Sequence, residues 1–205
     1  GNLKAMISVE LTKSLKYTIN KCVSYPNNAS CHHDINLLHI ACAYGRTDMV
    51  MYLENKCSEL LHKTSSFGLT AAHFIASSEN VPERLVLPIP ANAKIVNCFG
   101  ETVVHIYSKG GTIGVLKALL QKGLDIKART KEGWNALHIA AENKNLAMVN
   151  YLIKECPQLL QEKNINMSTP LHSAAQTGNV QVIETLIKAG SDIMARTRKE
   201  TTYYT

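Results

Sequence analysis

The sequence predicts an all-α fold, a solenoid of stacked helix-turn-helix units, on three observations. A four-residue phrase ending in histidine recurs five times, at spacings of 34, 32, 33 and 34 residues. Each phrase opens with Thr or Asn, and small residues followed by a second amphipathic stretch come after it. Such a period indicates one structural unit repeated along the chain. The repeated histidines are His39, His73, His105, His138 and His172.

The first helix of each unit is expected to begin at the Thr or Asn of the phrase. The side-chain oxygen of these residues can accept a hydrogen bond from an otherwise unpaired amide in the first helical turn. This predicts first helices that begin near residues 36, 70, 102, 135 and 169. Pro170 fits the scheme, because proline is tolerated at the first helical position.

The second helix of each unit follows from apolar residues at helical spacing. In the fourth copy these are Leu146, Val149, Leu152 and Ile153. Gly123 and Gly190 stand where such helices end and suit the left-handed conformation of a C-terminal cap.

Two copies depart from this pattern. In the second, Pro88 cannot continue a helix, so the outer helix should be short. In the third, Tyr107 and Ser108 replace the usual pair of small residues. Three glycines follow, Gly110, Gly111 and Gly114, so we expect a weak first helix with bulkier packing.

Three longer phrases are specific enough to indicate a family. They are residues 133–141 (GWNALHIAA), 169–178 (TPLHSAAQTG) and 186–195 (LIKAGSDIMA). Over roughly residues 31–205 the sequence resembles the ankyrin-repeat family. The resemblance implies a helix-helix-β-hairpin unit, stacked into a curved solenoid that binds other proteins along its concave side. It also implies that the repeated histidines hydrogen-bond backbone between neighbouring repeats.

The period divides the chain into repeats. An apolar stripe at every fourth position from Leu3 to Ile19 suggests a helical cap at the N-terminus, and the next phrase would begin at Thr202. The predicted divisions are a degenerate N-terminal helical capping repeat at 1–30, five ankyrin repeats at 31–63, 64–96 (irregular, Pro-rich), 97–129, 130–163 and 164–196, and the start of a truncated or irregular C-terminal repeat at 197–205.

Composition excludes several classes of protein. The 205 residues are 45% hydrophobic and 19% charged, which is typical of a globular chain. No apolar run reaches the roughly 18 residues of a membrane span. The net charge of +6 is spread along the chain rather than concentrated in a basic arm. Six cysteines without a C-x-x-C pair favour a reducing cytoplasm, or a host cytoplasm if the protein is an effector.

Catalytic and metal chemistry find no support in the pattern. Histidines of neighbouring repeats should lie about 8–10 Å apart, too far to share a zinc ion. The local cluster from Cys31 to His33 lacks a second ligand pair, so a surface turn is favoured. The glycines from Gly110 to Gly114 lack the Gly-Lys-Ser/Thr ending of a phosphate loop. We therefore predict no enzyme activity, no metal, no cofactor, no supporting disulfide and no small-molecule substrate.

Candidate binding residues are those that the repeat does not require. Phe67, Leu69, Phe99 and Trp134 form a run of large apolar residues at successive hairpin tips, where solvent exposure is expected. Glu101 and Glu132 lie at the same tips, and the predicted first helices end at Tyr44, Lys109, Glu142, Asn143 and Gln176. The alternative is that the aromatic tips pack against their own neighbouring hairpins.

The leading interpretation is a non-catalytic module that binds another protein through its groove and hairpin tips, with Phe67, Phe99 and Trp134 as anchors. The first alternative is the targeting domain of a larger protein, such as an enzyme or a bacterial effector acting on host proteins, with its activity outside this sequence. Nucleic-acid binding through the positive charge is a third, less favoured reading that predicts a steep salt dependence.

Overall fold

The computed structural model describes residues 35–76 and 96–198 and divides the chain into two compact units. The described part of the first unit is 35–76 with 96–98, and that of the second is 99–198. The predicted capping repeat at 1–30, the cluster from Cys31 to His33, the outer helix with Pro88 and the segment after residue 198 lie outside the described residues.

The first unit packs a helix pair against the first helix of the next repeat. Helices α1 (Leu37–Ala43), α2 (Thr47–Lys56) and α3 (Ala71–Ala76) surround an apolar core, and a 3₁₀ helix (Ser58–His62) follows α2. Helix α1 lies against both α2 and α3. The core consists of Leu38, Ala41, Cys42, Val50, Leu53, Leu69, Ala71, Phe74 and Ile75.

The second unit contains three helix pairs. They are α4 (Val103–Gly110) with α5 (Ile113–Gln121), α6 (Ala136–Glu142) with α7 (Leu146–Glu155), and α8 (Pro170–Thr177) with α9 (Val180–Lys188). A 3₁₀ helix (Pro157–Gln161) follows α7. Helix α6 packs against α4 and α8, so the first helices stack in chain order.

The fold class is the predicted all-α solenoid of stacked helix pairs. The two described ranges contain no β-strand, and the tips between helix pairs are turns. Neither range contains a helix with the length and hydrophobicity that a bilayer crossing requires.

The first helices begin where the phrase predicts. Helix α1 follows Asn36, α4 follows Thr102, α6 follows Asn135 and α8 follows Thr169. Asn36 and Asn135 accept through Oδ1 from the amide at the third helical position, which is that of the repeated histidine. The hydroxyls of Thr102 and Thr169 lie 2.9 and 2.8 Å from the Nδ1 of that histidine. The histidine Nδ1 in turn accepts the amide of the cap residue, at 3.0 Å between Thr102 and His105. Histidine thus takes the place that glutamate holds in the common capping box.

The other ring nitrogen of these histidines links the first helix of a repeat to the tip that follows that repeat. Nε2 donates to a backbone carbonyl, from His39 to Lys63 at 3.0 Å, from His105 to Trp134 at 3.2 Å and from His138 to Ser168 at 2.9 Å. The predicted structural role of these three histidines is confirmed, since each side chain is fully buried.

The expectation of a weak first helix in the third copy was wrong. Helix α4 runs for eight residues, and Tyr107 is only 2% exposed. The buried hydroxyl of Ser108 donates to the carbonyl of Val104 at 2.8 Å, so the polar side chain is satisfied within the helix. Gly111 supplies the room for the tyrosine ring, because a Cβ there would lie 2.1 Å from Tyr107 Cδ1 and 2.9 Å from its Cα.

Gly111→Ala is therefore expected to destabilise the second unit by about 1–3 kcal/mol, the usual cost of overpacking a core. The matched control is the adjacent Gly110→Ala, whose Cβ would meet no atom within 4 Å. That control should be neutral or slightly stabilising, because alanine restricts the unfolded chain. Urea denaturation of both variants measures the difference, and equal midpoints would show that the packing of Tyr107 adapts freely.

Candidate partner-binding surface

The tips of the helix pairs are tight turns closed by backbone hydrogen bonds. In the second unit the amide of Thr130 donates to the carbonyl of Trp134 at 2.9 Å, and Asn164 and Ser168 repeat this bond at 2.9 Å. Gly133 closes the first of these turns by donating to Thr130 at 2.9 Å. Each tip thus projects between two helix pairs with a defined backbone geometry.

Neighbouring tips are joined by backbone bonds of one repeated kind. In the second unit the donors are Lys131, Ile165 and Arg198, and the acceptors are the carbonyls of Phe99, Glu132 and Asn166, at 3.1, 3.0 and 2.8 Å. A single bond of this kind from tip to tip is too little for a β ladder, which explains why the β-hairpins implied by the family are turns in the described residues.

The apolar tips are less exposed than the sequence suggested. Leu69 is 7% exposed and belongs to the core of the first unit, because it packs with the helices rather than projecting to solvent. Phe67 is half-buried against the same core. The expectation that these two side chains project freely was therefore wrong.

The aromatic tips of the second unit are also half-buried. The Trp134 ring lies 5.8 Å from the buried ring of His138, tilted by 50°. Its indole thus rests on the core histidine instead of projecting clear of it, which corrects the expected orientation. Phe99 is half-buried as well. Both rings keep an exposed part that a partner could cover.

Three charged residues from the predicted set come together in the second unit. Lys109 Nζ lies 2.8 Å from Glu101 Oε1, although Glu101 is only 8% exposed and was expected at an open tip. Burial raises the pKa of the Glu142 carboxyl, the positive charge of Lys109 lowers it, and the negative charge of Glu101 raises it. The tip before α4 and the ends of α4 and α6 thus form a charged cluster of two carboxylates and one ammonium group.

The remaining candidates occupy separate positions. Glu132 and Gln176 are exposed, and exposed Asn143 donates from Nδ2 to the carbonyl of Ile139 at 2.8 Å. Tyr44, in the first unit, is half-buried, and its buried hydroxyl has no hydrogen-bond partner within the described ranges.

One exposed apolar tip was missed from the sequence. Ile165 is 57% exposed, and Met167 beside it is exposed at a φ of +59°. The corresponding position of the preceding tip is Gly133, whose φ is +77°. A positive φ at a methionine is uncommon, because the Cβ crowds the backbone. An apolar residue replacing the turn glycine is the sequence signal that could have found this tip.

Comparison with protein-family models agrees with the repeat pattern. A model of ankyrin repeats in three copies matches residues 73–159, and a single ankyrin-repeat model matches residues 166–198. The matched ranges include α4 to α9 and all but the first of the five repeated histidines.

Several curated proteins are similar to part of the chain. The NF-kappa-B inhibitor cactus of Drosophila melanogaster is 33% identical over 135 residues, covering 62% of this chain and 25% of that protein. The human SMC5-SMC6 complex localization factor protein 1 is 28% identical over 144 residues, covering 70% of this chain and 13% of that protein. Alpha-latrotoxin-Lt1a of Latrodectus tredecimguttatus is 31% identical over 101 residues, covering 48% and 7%. The chain spans about a quarter or less of the length of these relatives.

Proposed function

The chain belongs to the ankyrin-repeat family, whose repeats bind other proteins, and we propose that it is a non-catalytic module that holds a partner protein between its tips and the ends of its first helices. The observation that carries this proposal is that different residues of each repeat hold the fold together and face a partner. The cap residue and the histidine are used in internal bonds, whereas the tip and the end of the first helix differ from copy to copy.

The second unit offers two kinds of contact to such a partner. The charged cluster of Glu101, Lys109 and Glu142 can set the register of a bound segment. A partner charge that lies opposite a group of the same sign would be repelled. The half-exposed rings of Phe99 and Trp134 can supply apolar area at little entropic cost, since packing already restricts their rotation. Aromatic side chains in such settings often contribute most to affinity.

Trp134→Ala is expected to weaken partner binding by about 2 kcal/mol or more, which is at least about a thirtyfold loss of affinity. It should also lower the free energy of unfolding by about 1 kcal/mol, because the indole covers the ring of His138. The 205-residue chain serves as bait for capture of a partner, and titration calorimetry with the purified partner then measures affinity for both forms.

The matched control is Tyr52→Ala, which removes a more exposed aromatic ring from α2, away from the tips. Its affinity should equal that of the parent. If Trp134→Ala unfolds the chain, or if it binds as tightly as Tyr52→Ala, the aromatic tips are structural and the anchor role is wrong.

A further inference from the structure

The tips of the second unit carry a concentration of positive charge. Five cationic residues lie in three successive tips and are all exposed, and we call this surface the basic tip face. The three tip segments, 129–133, 163–167 and 196–198, contain a single carboxylate, that of Glu132. The basic tip face consists of Arg129, Lys131, Lys163, Arg196 and Arg198.

These charges are arranged in register. Lys131, Ile165 and Arg198 are the residues whose amides donate to the preceding tip, so they occupy equivalent positions. The residues two places earlier are Arg129, Lys163 and Arg196, one cation in each tip. The repeat thus generates a row of three positive charges, one in each tip.

Within residues 35–76 and 96–198 no carboxylate forms an ion pair with this row, whereas Lys109 pairs with Glu101 and Lys188 with Glu184. The Arg129 guanidinium is held instead by carbonyl oxygens. Its Nε and Nη2 donate to Gly133 at 3.1 and 3.0 Å, and Nη2 also donates to Lys163 in the next tip. Carbonyl partners fix the position of the guanidinium and leave its net charge in place.

We propose that the basic tip face binds an extended acidic segment of the partner protein, with acidic side chains at about every third position. This inference rests on the proposed function and names the class of partner. Equivalent atoms in stacked units are separated by the helix-packing distance of about 8–10 Å. A segment in the extended polyproline II conformation rises about 3.1 Å per residue and completes one turn every three residues, so side chains about three positions apart point the same way and span one repeat.

A protein segment fits this face better than a nucleic acid does. Single-stranded nucleic acids are held by cationic grooves combined with aromatic side chains on which the bases stack. The aromatic ring of these tips, Trp134, rests on His138 and is half-buried, and the other exposed tip residues include the aliphatic Ile165 and Met167. Aliphatic side chains among cations suit an acidic segment interspersed with apolar residues.

The test uses the 205-residue chain and three labelled peptides of about ten residues, a length that spans three repeats in the polyproline II conformation. One has glutamate at every third position on a serine-alanine background, the second has the same composition with its glutamates in one block, and the third has glutamine for glutamate. Fluorescence anisotropy at low salt should give the spaced peptide about fivefold tighter binding than the block peptide, and no binding of the glutamine peptide.

The double variant Lys163→Gln/Arg196→Gln should weaken binding of the spaced peptide by about tenfold, because each exposed ion pair contributes modestly. The matched control Lys117→Gln/Lys154→Gln removes equal charge from exposed positions on α5 and α7 and should leave the affinity unchanged. Thermal melting verifies that both variants stay folded.

The proposal is overturned if the block peptide binds as well as the spaced one, if the control variant loses as much affinity as the tip variant, or if an oligothymidylate binds more tightly than the spaced peptide at the same salt concentration.

If a captured partner is lost with Trp134→Ala but kept by the tip variant, this inference fails and the proposed function stands. If the spaced peptide binds as expected but Trp134→Ala leaves the captured partner's affinity unchanged, the anchor role fails and the basic tip face stands.

Discussion

Acidification from about pH 6.5 to about pH 4 is expected to lower the free energy of unfolding of the second unit by about 3 kcal/mol through His138 alone. Burial lowers the pKa of His138 from 6.5 to about 4, the bond to the Ser168 carbonyl partly opposes this, and the charges of Arg129 and His172 lower it further. Each pKa unit corresponds to about 1.4 kcal/mol.

The direction follows from which state binds more protons. Below about pH 6.5 the unfolded chain takes up a proton on His138 while the folded chain does not, so stability is complete above that pH and falls toward pH 4. Burial also lowers the pKa of His39 and of His105, which adds to the same trend in each unit. Protonation of Nδ1 removes the acceptor of the cap amide, so the charged ring does not fit its site.

Urea denaturation at several pH values between 4 and 6.5 measures this effect, the limits being the two pKa values of His138. Titration of the His138 Cε1 proton by NMR tests its cause, and we expect the His138 ring to stay neutral in the folded chain until about pH 4. A ring that titrates near pH 6.5 while the chain remains folded would falsify the account.

Leu152→Ala is expected to cost about 2–5 kcal/mol of stability, because a buried leucine leaves a cavity that its neighbours fill only in part. Leu152 lies in α7 and is fully buried, and α7 packs against α6 and the 3₁₀ helix Pro157–Gln161. The proposed binding surface lies at the tips and the ends of the first helices, so the folded fraction should keep its affinity for a partner.

The matched control for this variant is Val180→Ala, an apolar truncation at an exposed position of α9. Its stability should change by no more than about 0.5 kcal/mol. Denaturation curves of the two variants decide the matter, since similar losses would mean that the burial of Leu152 is not what stabilises the unit.

Local pattern predicted the helices well because their signals are themselves local. The cap at Asn135 and the histidine three residues later form one hydrogen-bonded unit, so the phrase that repeats in the sequence is the phrase that starts each helix. The same pattern misjudged the third copy, because it could not reveal that Gly111 leaves room for Tyr107 or that Ser108 bonds within its own helix.

The candidate surface was predicted by position but not by exposure. Counting along the repeat identified Glu101, Lys109 and Glu142, which do come together, although Glu101 is buried and paired with Lys109 rather than open to solvent. Counting missed the exposed tip at Ile165, since the register of the phrase says nothing about which tip side chains pack inward.

The sequence by itself determined the family, the period, the start of each first helix and the structural use of the repeated histidines, because each depends on residues only a few positions apart or on their regular recurrence. Tertiary structure alone decided the burial of Leu69, the contact of Trp134 with His138 and the alignment of Arg129 with Lys163. These features depend on how each tip packs against its neighbours in space, and side chains with the same position in the repeat are covered or exposed according to the neighbours they meet.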